Sequence, residues 1–163
     1  MSANHRVLVV NPDLCTGCRL CEMICSLWHE DKCGTSFSRV QVAQWGEIGV
    51  AIPVVCQSCK DPPCEKACPT TARQRVESTG AVITDPEVCV GCKSCVYACP
   101  FGAPAVHPES KKLMTCDLCS GEPQCVKVCN TGALRYTDKT DIALKRKRYF
   151  AGHIARYWKR IEE

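Results

Sequence analysis

The sequence predicts an α+β fold in which one small unit occurs twice. Sixteen of the 17 cysteines in this 163-residue chain fall into four short groups. The groups alternate between a tight and an expanded spacing, in the order A-B-A′-B′, which is typical of an internal duplication. Short apolar segments of strand length flank them. We therefore expect a repeated ligand framework to organise the fold.

All four groups begin with a Cys-x2-Cys pair and end with a Cys-x3-Cys pair. They are Cys15-x2-Cys18-x2-Cys21-x3-Cys25, Cys56-x2-Cys59-x4-Cys64-x3-Cys68, Cys89-x2-Cys92-x2-Cys95-x3-Cys99 and Cys116-x2-Cys119-x5-Cys125-x3-Cys129. With Pro100, the third group completes the C-x2-C-x2-C-x3-C-P run of bacterial ferredoxins. This run predicts a duplicated bacterial-type two-cluster ferredoxin fold.

The sequence around the groups repeats as well. NPDLCTGC at 11–18 matches DPEVCVGC at 85–92, and CQSCKDPPCEKACPTTA at 56–72 matches CDLCSGEPQCVKVCNTGA at 116–133. These matches predict a four-cluster domain over residues 1–140, with interlocked pseudo-repeats at about 6–78 and 80–137.

The apolar patterns predict where the strands and helices lie. Strands are expected at Arg6–Val10, Ala72–Val76 and Ala81–Thr84, the last two joined by a turn at 78–80. Residues 39–56 alternate apolar and polar residues and predict a hairpin insertion. Short helical turns are expected near the third or fourth cysteine of each group.

The C-terminal segment 141–163 predicts an amphipathic helix. Phe150, Ile154, Tyr157 and Ile161 form an apolar stripe at helical spacing, and most of the remaining surface is basic. The helix either packs on its own domain or docks on a catalytic subunit or a second copy of this chain. Binding to a membrane surface ranks third, because the stripe is short.

Composition limits the classes of function. The N-terminus has no signal-peptide core, which predicts a cytoplasmic, reducing location where dense cysteine indicates metal rather than disulfides. No apolar run has the length of a membrane span, so no integral membrane segment is expected. The formal charge of +4 counts the cysteines as neutral thiols. Thiolates on four clusters would make the holoprotein mildly acidic, so nucleic-acid binding is not indicated.

Iron–sulfur chemistry suits the triplet spacing better than zinc does. Three cysteines on one loop can hold three corners of a [4Fe–4S] cube, and the fourth corner takes a cysteine from elsewhere. Zinc sites usually use paired CxxC units at longer separations. A zinc-stabilised scaffold stays the alternative of a different class, and a maturation factor that passes clusters on is disfavoured because every group is complete.

At these four groups, over about residues 5–137, the chain resembles the four-cluster ferredoxin-like subunits of molybdenum and tungsten oxidoreductases. Dimethyl sulfoxide reductase, formate dehydrogenase and hydrogenase complexes have such subunits. CTGCRLCEMICSLWHE followed by SFSRVQV is most similar to the small subunits accompanying tungsten aldehyde ferredoxin oxidoreductases. The resemblance implies a non-catalytic subunit that relays single electrons through four [4Fe–4S] clusters. The expected partners are a large tungsten- or molybdenum-cofactor subunit and, as second redox partner, a flavin subunit or ferredoxin. Association of further copies would run through the C-terminal helix.

The resemblance also implies which cysteines share a cluster, whereas spacing alone leaves open whether the first group pairs with the second. In that family the outer groups pair with each other, as do the inner groups. The implied sets are Cys15, Cys18, Cys21 with Cys129; Cys116, Cys119, Cys125 with Cys25; Cys56, Cys59, Cys64 with Cys99; and Cys89, Cys92, Cys95 with Cys68.

Several residues fall outside these sets. Ser26 and Asn130 stand where proline usually follows the last cysteine, and local backbone geometry is the expected reason. Cys33 is expected to be a plain thiol. His29 and His107 could contact a cluster, but are expected to be ordinary surface histidines. No catalytic constellation is present, which predicts a chain without its own active site.

Overall fold

The computed structural model describes residues 6–138 and 151–152. Its strands are β1 (Arg6–Val10), β2 (Gln41–Trp45), β3 (Val50–Val54), β4 (Arg73–Arg75), β5 (Val82–Thr84), β6 (Ala105–Val106), β7 (Leu113–Met114) and β8 (Leu134–Asp138). Its helices are α1 (Leu20–Glu30), α2 (Pro63–Lys66), α3 (Ser94–Ala98) and α4 (Gln124–Lys127). This mixture is the α+β fold that the sequence predicts. The predicted C-terminal helix, with its apolar stripe, lies outside the described residues except for residues 151–152.

Strand pairing joins the two ends of the described domain. β1 runs antiparallel to β8, with Arg6 opposite Asp138 and Val10 opposite Leu134. β4 and β5 form a second antiparallel pair, β6 and β7 a third, and β2 and β3 a fourth. The strands predicted at the N-terminus and on both sides of the turn at 78–80 are confirmed, with ends that differ by a residue or less.

Two of these pairs hold the cysteine groups in equivalent positions. Cys15 follows β1 by five residues, and Cys129 precedes β8 by five residues. Cys68 and Cys89 flank β4 and β5 at the same distance. The β1–β8 pair therefore brings the outer groups together, and the β4–β5 pair brings the inner groups together.

The helices begin at or just before the third cysteine of each group, as the sequence predicts. α2, α3 and α4 have only four or five residues, whereas α1 has 11. Pro69 and Pro100 follow the second and third groups, and proline cannot continue a helix without losing a hydrogen bond. Ser26 allows α1 to continue, and its buried hydroxyl donates to the Met23 carbonyl at 2.9 Å. The missing proline thus permits the longer helix.

The β2–β3 hairpin covers the N-terminal half of α1. A 3₁₀ turn over Gly46–Ile48 joins the two strands. Val42 and Ala51 are buried from this hairpin, and the Val42 amide donates to Glu22 Oε1 at 2.8 Å. A hairpin therefore occupies the predicted segment, and its origin as an insertion into the repeated unit stays a prediction.

Cysteine makes up a large part of the protein core. One buried cluster surrounds Leu8 and Leu134 and contains Cys21, Cys25 and Cys125. A smaller one combines Cys64 and Cys95 with Val82 and Leu113. Because the hydrocarbon side chains are few and small, groups bound by these cysteines would contribute directly to folding stability.

The Ser26→Pro variant should lose about 3 kcal/mol of unfolding free energy, because the ring removes an α1 hydrogen bond and clashes with the preceding turn. Denaturant unfolding followed by circular dichroism measures this loss. Asn130→Pro is the matched control, since proline already follows the equivalent cysteine at Pro69 and Pro100, and should cost much less. Equal losses in both variants would contradict this explanation.

Candidate metal centre

Three cavities are each lined by four cysteines, and each draws them from two groups. One contains Cys25, Cys116, Cys119 and Cys125. The second contains Cys56, Cys59, Cys64 and Cys99. The third contains Cys68, Cys89, Cys92 and Cys95. In every case the first three thiols of one group meet the last thiol of another.

Of the sixteen grouped cysteines, the remaining four are Cys15, Cys18, Cys21 and Cys129, and their groups adjoin the β1–β8 pair. Cys15 and Cys129 pack against the apolar cluster that contains buried Cys21. Burial, followed by the charge of Glu22, raises the pKa of Cys21 to about 12, and repulsion from any charge on the nearby Cys18 and Cys15 adds to this. Cys18 itself is exposed. The first group therefore gathers its three leading thiols on one loop, at the edge of the same core.

Each ligand loop contains residues with positive φ, in the left-handed region. In the two tight loops they occur at equivalent positions. Gly17 and Gly91 have φ of 71° and 69°, and Arg19 and Lys93 have φ of 58° and 64°. Each such residue reverses the local backbone, which lets neighbouring thiols converge instead of alternating in direction. At Gly17 a Cβ would also lie 2.3 Å from Gln44 Nε2, on the hairpin that covers the loop.

Several sulfur atoms accept hydrogen bonds from groups outside the cysteine sets. The backbone amides of Arg39 and Leu134 donate to Cys25 Sγ at 3.3 Å and Cys129 Sγ at 3.4 Å. Arg73 Nη2 donates to Cys64 Sγ at 3.2 Å. Such donors favour the thiolate form and raise the reduction potential of a bound cluster.

Burial acts against free thiolates in this protein. It raises the pKa of Cys125 to about 12, with the charge of Cys25 adding to the effect, and it raises the pKa of Cys116 well above its usual value. These thiols are therefore protonated at neutral pH unless a cation replaces the proton. Metal binding must release protons here, which is the usual coupling at thiolate sites.

Both histidines are more enclosed than the sequence predicts. The His29 side chain is only 11% exposed; its Nε2 lies 3.3 Å from Asp117 Oδ1 and 3.7 Å from Cys119 Sγ. His107 Nε2 lies 3.2 Å from Glu30 Oε2. The expectation of ordinary surface histidines is therefore wrong, because α1 is long enough to carry His29 and Glu30 against the second half of the chain.

Sequence reasoning missed Arg73. It stands at the start of β4, is buried, and lines two of the cysteine cavities. Alignment of the two repeats could have identified it, because Arg73 occupies the position at which the second repeat has the apolar Leu134. Cys33, by contrast, is exposed, with its Sγ 3.3 Å from Met23 Sδ.

The repeated strand pairs and the cavities of four cysteines define a ferredoxin-like iron–sulfur protein. The model of the 4Fe-4S dicluster domain matches residues 49–139, and that of the 4Fe-4S binding domain matches residues 8–25. The chain belongs to the 4Fe-4S dicluster family. [4Fe–4S] clusters are therefore its cofactors, and the all-cysteine donor sets fit them.

Relatives and a solved structure extend the similarity to most of the chain. The polyferredoxin-like subunit of aliphatic sulfonate oxidoreductase from Pyrococcus furiosus is 42% identical over 76% of this chain and 70% of its own length. A sulfite dehydrogenase subunit from Allochromatium vinosum is 30% identical over 82% of this chain and 69% of its own length. A chain of the active-site complex BamBC of benzoyl coenzyme A reductase, solved with benzoyl-CoA, has a TM-score of 0.50 and 25% identity over 90% of this chain and 89% of that one. Over the described ranges, no helix is both long and apolar enough to cross a membrane.

The Gly17→Ala variant should bind less iron, because alanine is strained at this φ and its Cβ would displace Gln44. We expect the loss of the iron of one cluster, about four iron atoms per chain. Iron per chain, measured colorimetrically after anaerobic purification, tests this. Gly46→Ala is the control, because a Cβ there meets nothing within 4 Å. Full iron in Gly17→Ala would contradict the role of this loop.

Removing the metal should unfold the protein. Without metal, Cys21, Cys116 and Cys125 would be protonated because burial raises their pKa, and no metal–sulfur bonds would link the segments around them. Oxidative chelation with ferricyanide and EDTA should therefore abolish the cooperative thermal transition seen by circular dichroism. An apoprotein that keeps this transition at the same temperature would show that hydrocarbon packing alone suffices.

Proposed function

We propose that this chain is a non-catalytic electron-transfer subunit that relays single electrons through four [4Fe–4S] clusters. The observation that carries the proposal is the set of three cavities, each lined by four cysteines drawn from two groups. Each bound cluster would gain and lose one electron without any exchange of atoms. The protein's own contribution is to hold the sites close together and to exclude water from them.

The proposed ligands are the four sets implied by the family resemblance. Three of them have the same membership as the three cavities. The fourth set, Cys15, Cys18, Cys21 and Cys129, is supported by the β1–β8 pairing and by the shared apolar cluster. Groups around these ligands donate hydrogen bonds to the sulfur atoms, among them the Arg73 side chain and the Arg39 amide.

Neighbouring sites would be linked through single helical turns. Cys21 and Cys25 both lie on α1, four residues apart, yet belong to different proposed sites. Four residues of helix advance by about 6 Å. The same spacing occurs between Cys64 and Cys68 in the inner pair. Each pair of sites is therefore close enough for direct electron exchange within one protein.

The partners are proposed from the relatives. The sulfonate oxidoreductase relative and the active-site complex support a large catalytic oxidoreductase subunit as partner. A tungsten- or molybdenum-cofactor subunit of the aldehyde oxidoreductase type is favoured on the resemblance of the segment CTGCRLCEMICSLWHE. A flavin subunit or a ferredoxin would be the second redox partner, and the location would be cytoplasmic. A hydrogenase or formate dehydrogenase complex is the alternative assembly, and copies of the chain could also associate into longer cluster chains.

One purification separates these possibilities. Anaerobic affinity capture of the tagged chain from its native host, followed by mass spectrometry and metal analysis, should recover a large tungsten- or molybdenum-containing subunit. A nickel-containing partner would favour the hydrogenase alternative. Deleting residues 141–163 in the same experiment tests the docking role of the C-terminal segment, because unchanged capture and oligomer size would end it. A colourless, zinc-containing chain would overturn electron transfer altogether.

Paired substitutions test which cysteines share a site. Cys25→Ala and Cys119→Ala are proposed to damage the same cluster, so the double variant should lose about as much iron as either single variant. Cys25→Ala with Cys18→Ala should lose about twice as much, because two clusters are damaged. Iron and sulfide per chain are measured for each protein.

Cys33→Ala is the control for these variants and should retain all of its iron. Additive losses in the first pair, together with non-additive losses in the second, would mean that each group holds its own cluster. That outcome would overturn the shared ligand sets.

A further inference from the structure

The two repeats differ in charge at one buried position. Arg73 begins β4 and Leu134 begins β8, each five residues after the last cysteine of its group. Both are 2% exposed. The inner half of the molecule therefore contains a permanent positive charge where the outer half has a hydrocarbon side chain.

Arg73 has only neutral oxygen partners besides sulfur. Its Nη1 donates to Thr84 Oγ1 at 2.8 Å and to Thr115 Oγ1 at 3.2 Å. Its Nη2 donates to Cys64 Sγ at 3.2 Å, and its buried Nε has no hydrogen-bond partner. Within residues 6–138, no carboxylate lies within ion-pair distance of the guanidinium. A buried guanidinium without a counter-ion is strongly unfavourable, so the structure calls for an anion beside it.

A cluster bound at either inner site would supply the negative charge that Arg73 requires. Arg73 lines the cavity that contains Cys56, Cys59, Cys64 and Cys99, and also the cavity that contains Cys68, Cys89, Cys92 and Cys95. A cluster with four thiolates is an anion, and reduction adds one more negative charge. Because the guanidinium is shielded from water, its attraction for that added charge is weakly screened.

Within residues 6–138, Arg39 and Arg19 stand beside outer cysteines, and each is paired with a carboxylate. Arg39 lines one outer cavity, but its Nη2 is bound to Glu30 Oε1 at 3.1 Å. Asp117 lines the same cavity. Glu22 is buried next to Cys21, and its Oε2 lies 3.7 Å from Arg19 Nε. Carboxylates therefore offset the positive charge around the outer pair.

We propose that Arg73 makes the two inner cluster sites hold electrons more tightly than the two outer sites, so that the inner pair acts as an electron reservoir within the relay. This rests on the proposed function. In the step concerned, one electron leaves an outer site or a partner's redox centre, which is oxidised, and arrives at an inner site, which is reduced. No bond forms or breaks. The role of Arg73 is to stabilise the arriving charge.

Potentiometric titration of the intact holoprotein, followed by electron paramagnetic resonance, tests this with charge-changing and charge-conserving variants. In Arg73→Gln, the ratio of reduced to oxidised cluster at a fixed applied potential should fall at least tenfold for two of the four clusters, which is about 59 mV for a one-electron couple. Arg73→Lys should stay close to the wild type. Arg135→Gln, an exposed arginine on the equivalent strand β8, is the matched control and should change nothing.

The variants also distinguish failure of the Arg73 proposal from failure of the proposed electron-transfer function. Unchanged potentials in an iron-replete Arg73→Gln, or an equal fall in Arg73→Lys, would overturn the role of this charge while leaving the relay intact. A wild-type chain that carries zinc, or no sulfide, would instead overturn the proposed function.

A second pair of variants applies if Arg73→Gln fails to assemble. Cys64→Ser changes one inner site and Cys125→Ser one outer site. We expect Cys64→Ser to alter the signals with the higher potentials and Cys125→Ser to alter those with the lower potentials. The reverse order would overturn the proposal without any Arg73 variant.

Discussion

The Cys-x3-Cys spacing at the end of each group is the constraint on which the rest of this structure depends. One helical turn separates the two cysteines, and the cavities assign them to different neighbours wherever a cavity is described. Neither group of a pair can therefore form its site alone. The β1–β8 and β4–β5 pairs satisfy this requirement by bringing together groups that are far apart in sequence.

The same constraint links cofactor binding to folding. Cys21, Cys25, Cys64, Cys95 and Cys125 occupy core positions that hydrocarbon side chains would fill in another protein of this size. Burial raises the pKa of Cys21, Cys95 and Cys125, so without a cation these three are weakly polar thiols that pack around small spaces. With metal bound, the cysteines form metal–sulfur bonds that link distant segments across the core. The fold needs fewer apolar residues because cofactor binding would supply much of its folding free energy.

Charge and exposure make the two halves of the proposed relay unequal. Cys18 and Cys92, the second cysteines of the two tight loops, are exposed, whereas the third cysteines of all four groups are buried. The tight loops are thus the points at which a partner's redox centre can approach most closely. Between them, Arg73 adds a positive charge to one half of a framework that is otherwise repeated. In a duplicated scaffold, a single buried charged side chain is enough to give the two halves different reduction potentials.

The sequence by itself determined the fold class, the repeat, the cysteine groups and the strands at Arg6–Val10 and on both sides of the turn at 78–80, because ligand spacing and short-range periodicity are local properties. The length of α1 was less accessible. The absence of a proline at Ser26 only permits a longer helix, and the buried hydroxyl contacts of Ser26 depend on the loop that follows.

Only the tertiary structure decided which groups meet. Spacing within a group is the same whether its last cysteine turns towards the next group or towards a distant one. The β1–β8 and β4–β5 strand pairs settle which groups are neighbours. The tertiary structure also decided the environments of His29 and Arg73. A histidine or an arginine has the same local pattern on a surface as in a core, and burial depends on residues that are remote in sequence.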